Sequence, residues 1–191
     1  MMDLREYQEK ARSTAIYLEI ENTRILYPAL GIISECGEVA GKIKKLIRDD
    51  GGDMNDDRRK AISKELGDCC WYLANICCDI DHDLIMMYDM RWASMVHHIR
   101  GLTLPQLVLH MSRHATFVAE SLEQWYYKYD SHPGARSRFP DIPNNLTNII
   151  TCIEEIARRC GFTLEDIYTE NIEKLSNRQK KGTIQGSGDN R

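Results

Sequence analysis

The spacing of apolar residues constrains this chain most, because it is helical almost from end to end. Around LGIISECGEVAG, residues Leu30, Ile32, Ile33, Val39 and Ile43 look like core, and Ile32, Val39 and Ile43 recur at the seven- and four-residue intervals that gather side chains on one helical face. No segment alternates apolar and polar residues as a half-buried strand would, so the fold class expected is all-α. At 191 residues the chain is long enough for one domain with a sizeable core, and short for two.

Seven helices are expected. The first runs from about Asp3 to Glu21. After a break at Tyr27-Pro28, a second covers Ala29 to Ile47. The polar stretch DDGGDMNDD leads to a third over Arg58–Cys78, and a short turn to a fourth over Asp83–Ile99. Thr103 reads as the N-cap of a fifth, Leu104 to Tyr129. SHPGARSRFPDIP reads as loop, a sixth helix covers Asn144–Cys160, and Gly161 ends it. TLED, Thr163 to Asp166, has the form of a capping box opening the seventh. A faint internal repeat sets helices two to four against five to seven, with Glu35 and Glu38 opposite Ser112 and Ala115.

The net charge of −4 gives no general attraction to nucleic acid polymers or to an anionic membrane. No apolar run approaches the roughly 18–20 residues that span a bilayer, and the start MMDLREYQEK lacks the form of a signal peptide. The seven cysteines include two adjacent pairs, Cys69-Cys70 and Cys77-Cys78, which on a helix point apart. A disulfide framework is not expected, and a cytoplasmic location fits.

Against this background the carboxylates stand out. Glu35 and Glu38 lie three apart within the apolar stretch, and Glu65 and Asp68 repeat that spacing in KELGDCCWYL. Residues three apart share a helical face. Each pair lies about 12–14 Å along its helix from the intervening loop, so antiparallel packing brings the four acids to one level. Any one such pair is commonly a solvated face. Two on consecutive helices, both flanked by apolar stripes, imply a cation, because like charges gathered in a low dielectric repel strongly. Oxygen ligands without histidine or thiolate favour Mg2+, with Mn2+ as a substitute. A di-iron bundle would need Glu-x-x-His motifs, which neither pair supplies.

Other residues carry both a functional and a plain reading. Tyr72 and Asn75 continue the face of Asp68, where they would meet a base or simply pack in the core. Trp71 reads as core. Lys42 and Lys45 follow Glu38 as phosphate partners or as ordinary solvated lysines. Asn171, Lys174 and Arg178 form one stripe of an amide and two cations, suited to triphosphate oxygens. Tyr7, Gln8 and Thr14 would line a base pocket or belong to an amphipathic packing helix. His110 and His114 have a metal-reachable spacing, but Met111 stands where the zincin pattern needs glutamate. Counted from Asp53, the 49–57 loop has Arg58 where an EF-hand needs glycine.

The wording E35-x-x-E38 followed after 26 residues by E65-x-x-D68 in ELGDCCWYLA resembles the MazG-like all-α nucleoside triphosphate pyrophosphohydrolases, a superfamily that includes dimeric dUTPases and dCTP pyrophosphatases. LYPALGIISECGEVAGKIKKLIRD and NIEKLSNRQKKGTIQGSGDNR are similar to the first acid motif and the C-terminal segment of MazG-like proteins, many of them from phages. The likeness covers about 1–85 and 150–191; about 88–143 lies outside it and reads as a divergent or inserted helical segment. The resemblance implies a single MazG-like domain over 1–180 with a flexible glycine-rich tail at 181–191. It implies Mg2+-dependent cleavage of (d)NTPs to (d)NMP and pyrophosphate, with Glu35, Glu38, Glu65 and Asp68 as metal and catalytic residues. It also implies a homodimer or homotetramer. The amides of Gln8 and Asn75, beside aromatics, lean the base towards a purine such as that of dGTP or GTP. The rival expectation is a catalytically silent regulatory or adaptor protein with the same fold.

Overall fold

Two long helical hairpins organise the chain in a computed structural model that describes residues 2–19, 25–131 and 141–183. The first hairpin pairs α2 (Leu26–Asp50) with α3 (Asp56–Asp79), and the second pairs α6 (Leu104–Ser131) with α7 (Asp141–Arg159). α2 and α6 pack against each other and join the hairpins. Around them lie α1 (Leu4–Ser13), a single 3-10 turn at Ile16–Glu19, α4 (Leu84–Asp89), α5 (Ala93–Gly101) and α8 (Leu164–Lys180). No strand occurs among the described residues, and the fold is an all-α bundle. No helix among them is long and apolar enough to cross a membrane.

Local chemistry sets the helix ends. Gly51, at φ 60° in the left-handed region, terminates α2 where a side chain would be strained. Asn55 then caps α3, its side chain accepting from the Arg58 amide at 2.9 Å, and Asp56 and Asp57 suit the positive end of the helix dipole. Thr163 and Asp166 make the reciprocal capping box expected at α8. Gly161, at φ 84°, turns the chain between α7 and α8.

Several expected boundaries are corrected. Tyr27-Pro28 does not break the chain before the second helix: α2 starts at Leu26 and takes Pro28 into its first turn, where the absent N–H has no partner to lose. Pro143 sits likewise in the first turn of α7, so the last residues of the presumed loop are helical. The first helix stops at Ser13, where Arg12 reaches out to the Tyr17 hydroxyl at 2.8 Å and Asp79 at 2.7 Å. The fourth helix is two helices. Between them Arg91 stacks over the Tyr88 ring, donates to the Tyr88 carbonyl at 2.6 Å and pairs with Glu154 of α7, which bends the chain. The expected continuation to Glu21, most of the proline-rich loop and the glycine-rich tail beyond Thr183 lie outside the described residues.

The core fills the space between the hairpins. Ile32 and Val39 of α2, Leu66 and Leu73 of α3, Met111 and Val118 of α6, and Ile149 and Ile156 of α7 are all fully buried, each pair seven residues apart. Such burial contributes about 1.5–3 kcal/mol per large side chain before entropy is subtracted. Packing has the reciprocity that a duplicated unit would give: α8, which follows the second hairpin, lies on α3, and α4, which follows the first, lies on α7. The middle of α3 is therefore roofed by α8, and Glu65 and Asp68 lie under that roof.

Candidate functional site

The buried stripe of α2 consists of Ile32, Cys36, Val39 and Ile43, and Glu35 and Glu38 flank it. On α3, Glu65 is buried and Asp68 partly so. The five-residue connection makes the hairpin antiparallel, and the two pairs meet as their spacing predicts. Glu35, Glu38 and Glu65 each offer a carboxylate oxygen, and these oxygens all lie within 4.8 Å of one another. Asp68 stands beside them, turned towards α8. Lys174 Nζ donates to its two oxygens at 2.6 and 2.7 Å, and Asn171 Nδ2 donates at 2.9 Å.

A cleft of about 170 Å³ opens between α3 and α8, with Ser63, Glu65, Asp68, Asn171, Lys174 and Arg178 among its walls. Lys42, one turn after Glu38, reaches across to Glu65 at 2.9 Å. Acids and cations thus alternate around the opening. The acids still feel one another: burial first, then Asp68, Glu38 and Glu65, push the Glu35 carboxyl up to about 8, with Lys174 pulling the other way. Burial also raises Glu65, while the Lys42 hydrogen bond and charge oppose it.

Two supports were not legible as such. Gly67 lies between the two α3 acids, and a Cβ there would stand 3.0 Å from Asn171 Cβ and 3.4 Å from the Ile167 carbonyl. Its bare backbone is what lets α8 approach Asp68; a glycine inside a helical pattern was the available signal. Tyr7 is fully buried, and its hydroxyl donates to Asn171 Oδ1 at 3.3 Å, which orients the amide so that its nitrogen faces Asp68. A string from α1 through α8 to α3 thereby positions the carboxylate.

One relative bears on this arrangement. Gene 37 protein of Mycobacterium phage L5 is 37% identical in an 81-residue alignment that covers 39% of this chain and 69% of that protein. The chain belongs to the Gene 37 protein family. No protein-family model and no solved structure matches it.

In this Gene 37 relative, other sequence expectations fare unevenly. Tyr72 lies one turn beyond Asp68, half-buried, with its ring pressed over Gly31, where a Cβ would stand only 2.0 Å from the ring. Trp71 meets it edge-on at 4.9 Å and donates to Thr14 Oγ1 at 2.8 Å. Asn75 is wholly buried, accepting from Arg12 at 3.3 Å and donating to the Trp71 carbonyl at 3.0 Å. Gln8 accepts from the Leu84 amide at 2.6 Å and donates to the His82 carbonyl at 2.8 Å, so it caps α4. Neither amide is placed to read a base, because each satisfies buried backbone or a buried cation. The lean towards a purine loses its footing with them. Lys45 is exposed, and its charge acts on Asp49 near the end of α2 instead of the acid cluster. Asn171, Lys174 and Arg178 line the cleft, and Lys42 pairs with its Glu65.

Proposed function

We propose that this protein is a Mg2+-dependent nucleoside triphosphate pyrophosphohydrolase of the MazG-like kind, converting (d)NTPs to (d)NMP and pyrophosphate in nucleotide-pool control. The observation that carries the reading is the meeting of Glu35, Glu38 and Glu65 from two helices within 4.8 Å, beside Asp68 and a cationic stripe on α8. The donor set fits a hard cation: carboxylates converge with no imidazole or thiolate between them, and burial with mutual repulsion leaves Glu35 short of neutralising charge. Glu35, Glu38, Glu65 and Asp68 would hold Mg2+, or Mn2+ in its place. When bound, the ion would neutralise phosphate oxygens and make a water more acidic.

The remaining roles belong to the chain. Lys174 and Lys42 now act as counter-ions to Asp68 and Glu65, and both would exchange those carboxylates for phosphate oxygens once a cation takes their place. Arg178 and Asn171 lie on the same wall to orient the triphosphate. Glu38, the exposed member of its pair, would accept a proton from the attacking water, which must approach the α phosphorus in line. The half-buried Tyr72 offers an aromatic surface one turn from the acids. Leu30 and Ile33, exposed on α2 shortly before Glu35, suit the homodimer or homotetramer expected of such units.

The test is pyrophosphate release across a panel of nucleotides. Glu38→Gln and Asp68→Asn are each expected to lower the rate on the order of a hundredfold or more, since a cation ligand contributes several kcal/mol to such a transition state. Helicity by circular dichroism should not change. Full activity in both variants would end the proposal. Thermal melting gives a second measure: joint stabilisation by Mg2+ and nucleotide is expected, and indifference to the pair would favour the silent adaptor.

A further inference from the structure

We propose that a second metal site, separate from the carboxylate cleft, lies where α5, α6 and α7 meet: a zinc-class divalent ion held by His110 and His114, with His98 as third ligand. His110 and His114 lie one turn apart on α6, and their Nε2 atoms are 3.1 Å from each other. Two imidazole nitrogens on one tetrahedral zinc, each about 2.0–2.1 Å from it, stand about 3.3 Å apart. The pair is therefore already at chelating separation.

The hydrogen bonds fix which nitrogens are free. Asn145 donates its Nδ2 to the Asp141 carbonyl at 2.8 Å, which leaves its Oδ1 as an acceptor. That oxygen lies 2.6 Å from His114 Nδ1, so Nδ1 carries the proton and Nε2 offers its lone pair. An amide or carboxylate holding the far nitrogen is how metal-bound imidazoles are commonly oriented. On His110 the Arg113 guanidinium, a pure donor, lies 3.0 Å from Nδ1. His110 Nε2 therefore carries the proton, and it points at His114 Nε2, with Asn148 Oδ1 at 3.4 Å.

An entering ion takes the place of that shared proton. The His110 proton moves from Nε2 to Nδ1, the exposed Arg113 side chain withdraws, and the ring stays neutral, so no proton is lost overall. Burial, and for His110 also the neighbouring His114, already favours the neutral rings that metals need. His98 of α5 is exposed, with its ring centroid 5.7 Å from that of His110, close enough to swing onto the ion. Bound this way, the metal would clip α5 to α6. Imidazole ligands without carboxylate select Zn2+, Ni2+ or Cu2+ and discriminate against Mg2+. The two sites would not compete for ions.

The experiment is titration of the metal-stripped full chain with Zn2+ by calorimetry, and with Co2+ by visible absorption, in saturating Mg2+. One equivalent should bind and raise the melting temperature. His98→Gln, exposed and harmless to the fold, should weaken binding roughly ten- to a hundredfold. His114→Gln should abolish it, and Arg113→Gln should tighten it by removing an opposing charge. Glu38→Gln should leave Zn2+ binding unchanged. Absence of saturable binding, or Zn2+ affinity equal to wild type in His98→Gln and in a His110→Gln/His114→Gln double variant, would overturn the site.

Discussion

Between α2 and α3 the first hairpin gathers Glu35, Glu38, Glu65 and Asp68; at the positions the internal repeat sets opposite them, the second hairpin has Ser112, Ala115, Thr147 and Ile150. In the second, Ala115, Thr147 and Ile150 are essentially inaccessible, and the Thr147 hydroxyl is within reach of the Met87 carbonyl at 3.0 Å and the Pro143 carbonyl at 2.8 Å. At those three positions the second hairpin closes as ordinary core. The acids of the first are therefore not something this packing requires; they are a load that it carries. At these positions consistency between burial and chemistry is broken in the first hairpin and kept in the second, and such a break is where function is expected.

The sharpest way to break this comparison is to move a charge from one hairpin to the other. Thr147→Glu would push a carboxylate against two carbonyl oxygens at a fully buried position. It should destabilise the protein by about 3–5 kcal/mol, the scale for an uncompensated buried charge. Thr147→Val, nearly the same shape, should cost only about 1 kcal/mol for the lost hydroxyl contacts. Glu65→Gln, in the presence of chelator, should leave stability unchanged or improve it, because it relieves repulsion among the acids. Urea unfolding of the three variants decides the matter. Equal losses for Thr147→Glu and Glu65→Gln would mean that the hairpins treat buried charge alike.

A smaller effect separates the two roofs. Gly67 corresponds to Ile149 in the repeat, and only the glycine lets a neighbouring helix approach so closely. Gly67→Ala should drive α8 from α3 and cost about 1–3 kcal/mol, the usual range for overpacking. Gly41→Ala, with open space around its Cβ, is the control, and should gain up to about 1 kcal/mol from helix propensity. If both alanines stabilise, the close approach at Asp68 is not tight.

These contrasts also explain how much could be read beforehand. The all-α class and the meeting of Glu35, Glu38 and Glu65 followed from periodicity and spacing, because both are local rules applied to a short hairpin. The split between α4 and α5 did not, since its cause is Arg91 reaching Glu154, 63 residues further on. Gln8 and Asn75 were misplaced for the same reason: an amide on a helical stripe can serve a pocket or a buried carbonyl, and only the packed partner decides. Asn171, Lys174 and Arg178 reach the cleft together because one helix, α8, carries all three.

The smallest effect is a difference of sign with pH. In the first hairpin the folded Glu35 carboxyl is pushed from 4.5 to about 8, mainly by burial. The folded state then holds a proton that the unfolded chain releases, so stability present at low pH declines as pH rises through that window. In the second hairpin Glu155 is drawn the other way, chiefly by the Arg158 hydrogen bond and further by Arg159. Its contribution is present above the ordinary carboxylate range and is lost as pH falls through the lowered folded value. With divalent ions chelated, Glu35→Gln should flatten the decline towards pH 8 and raise the melting temperature there, while leaving the acid limb alone. Glu155→Gln should do the reverse, lowering the melting temperature near neutrality and flattening the acid limb. Because Glu35 is half-exposed, solvent screening keeps its effect to a small shift. Melting curves of the wild type and both variants across the acid and alkaline limbs provide the check. A Glu35→Gln profile parallel to wild type would show that the clustered acids do not strain the fold.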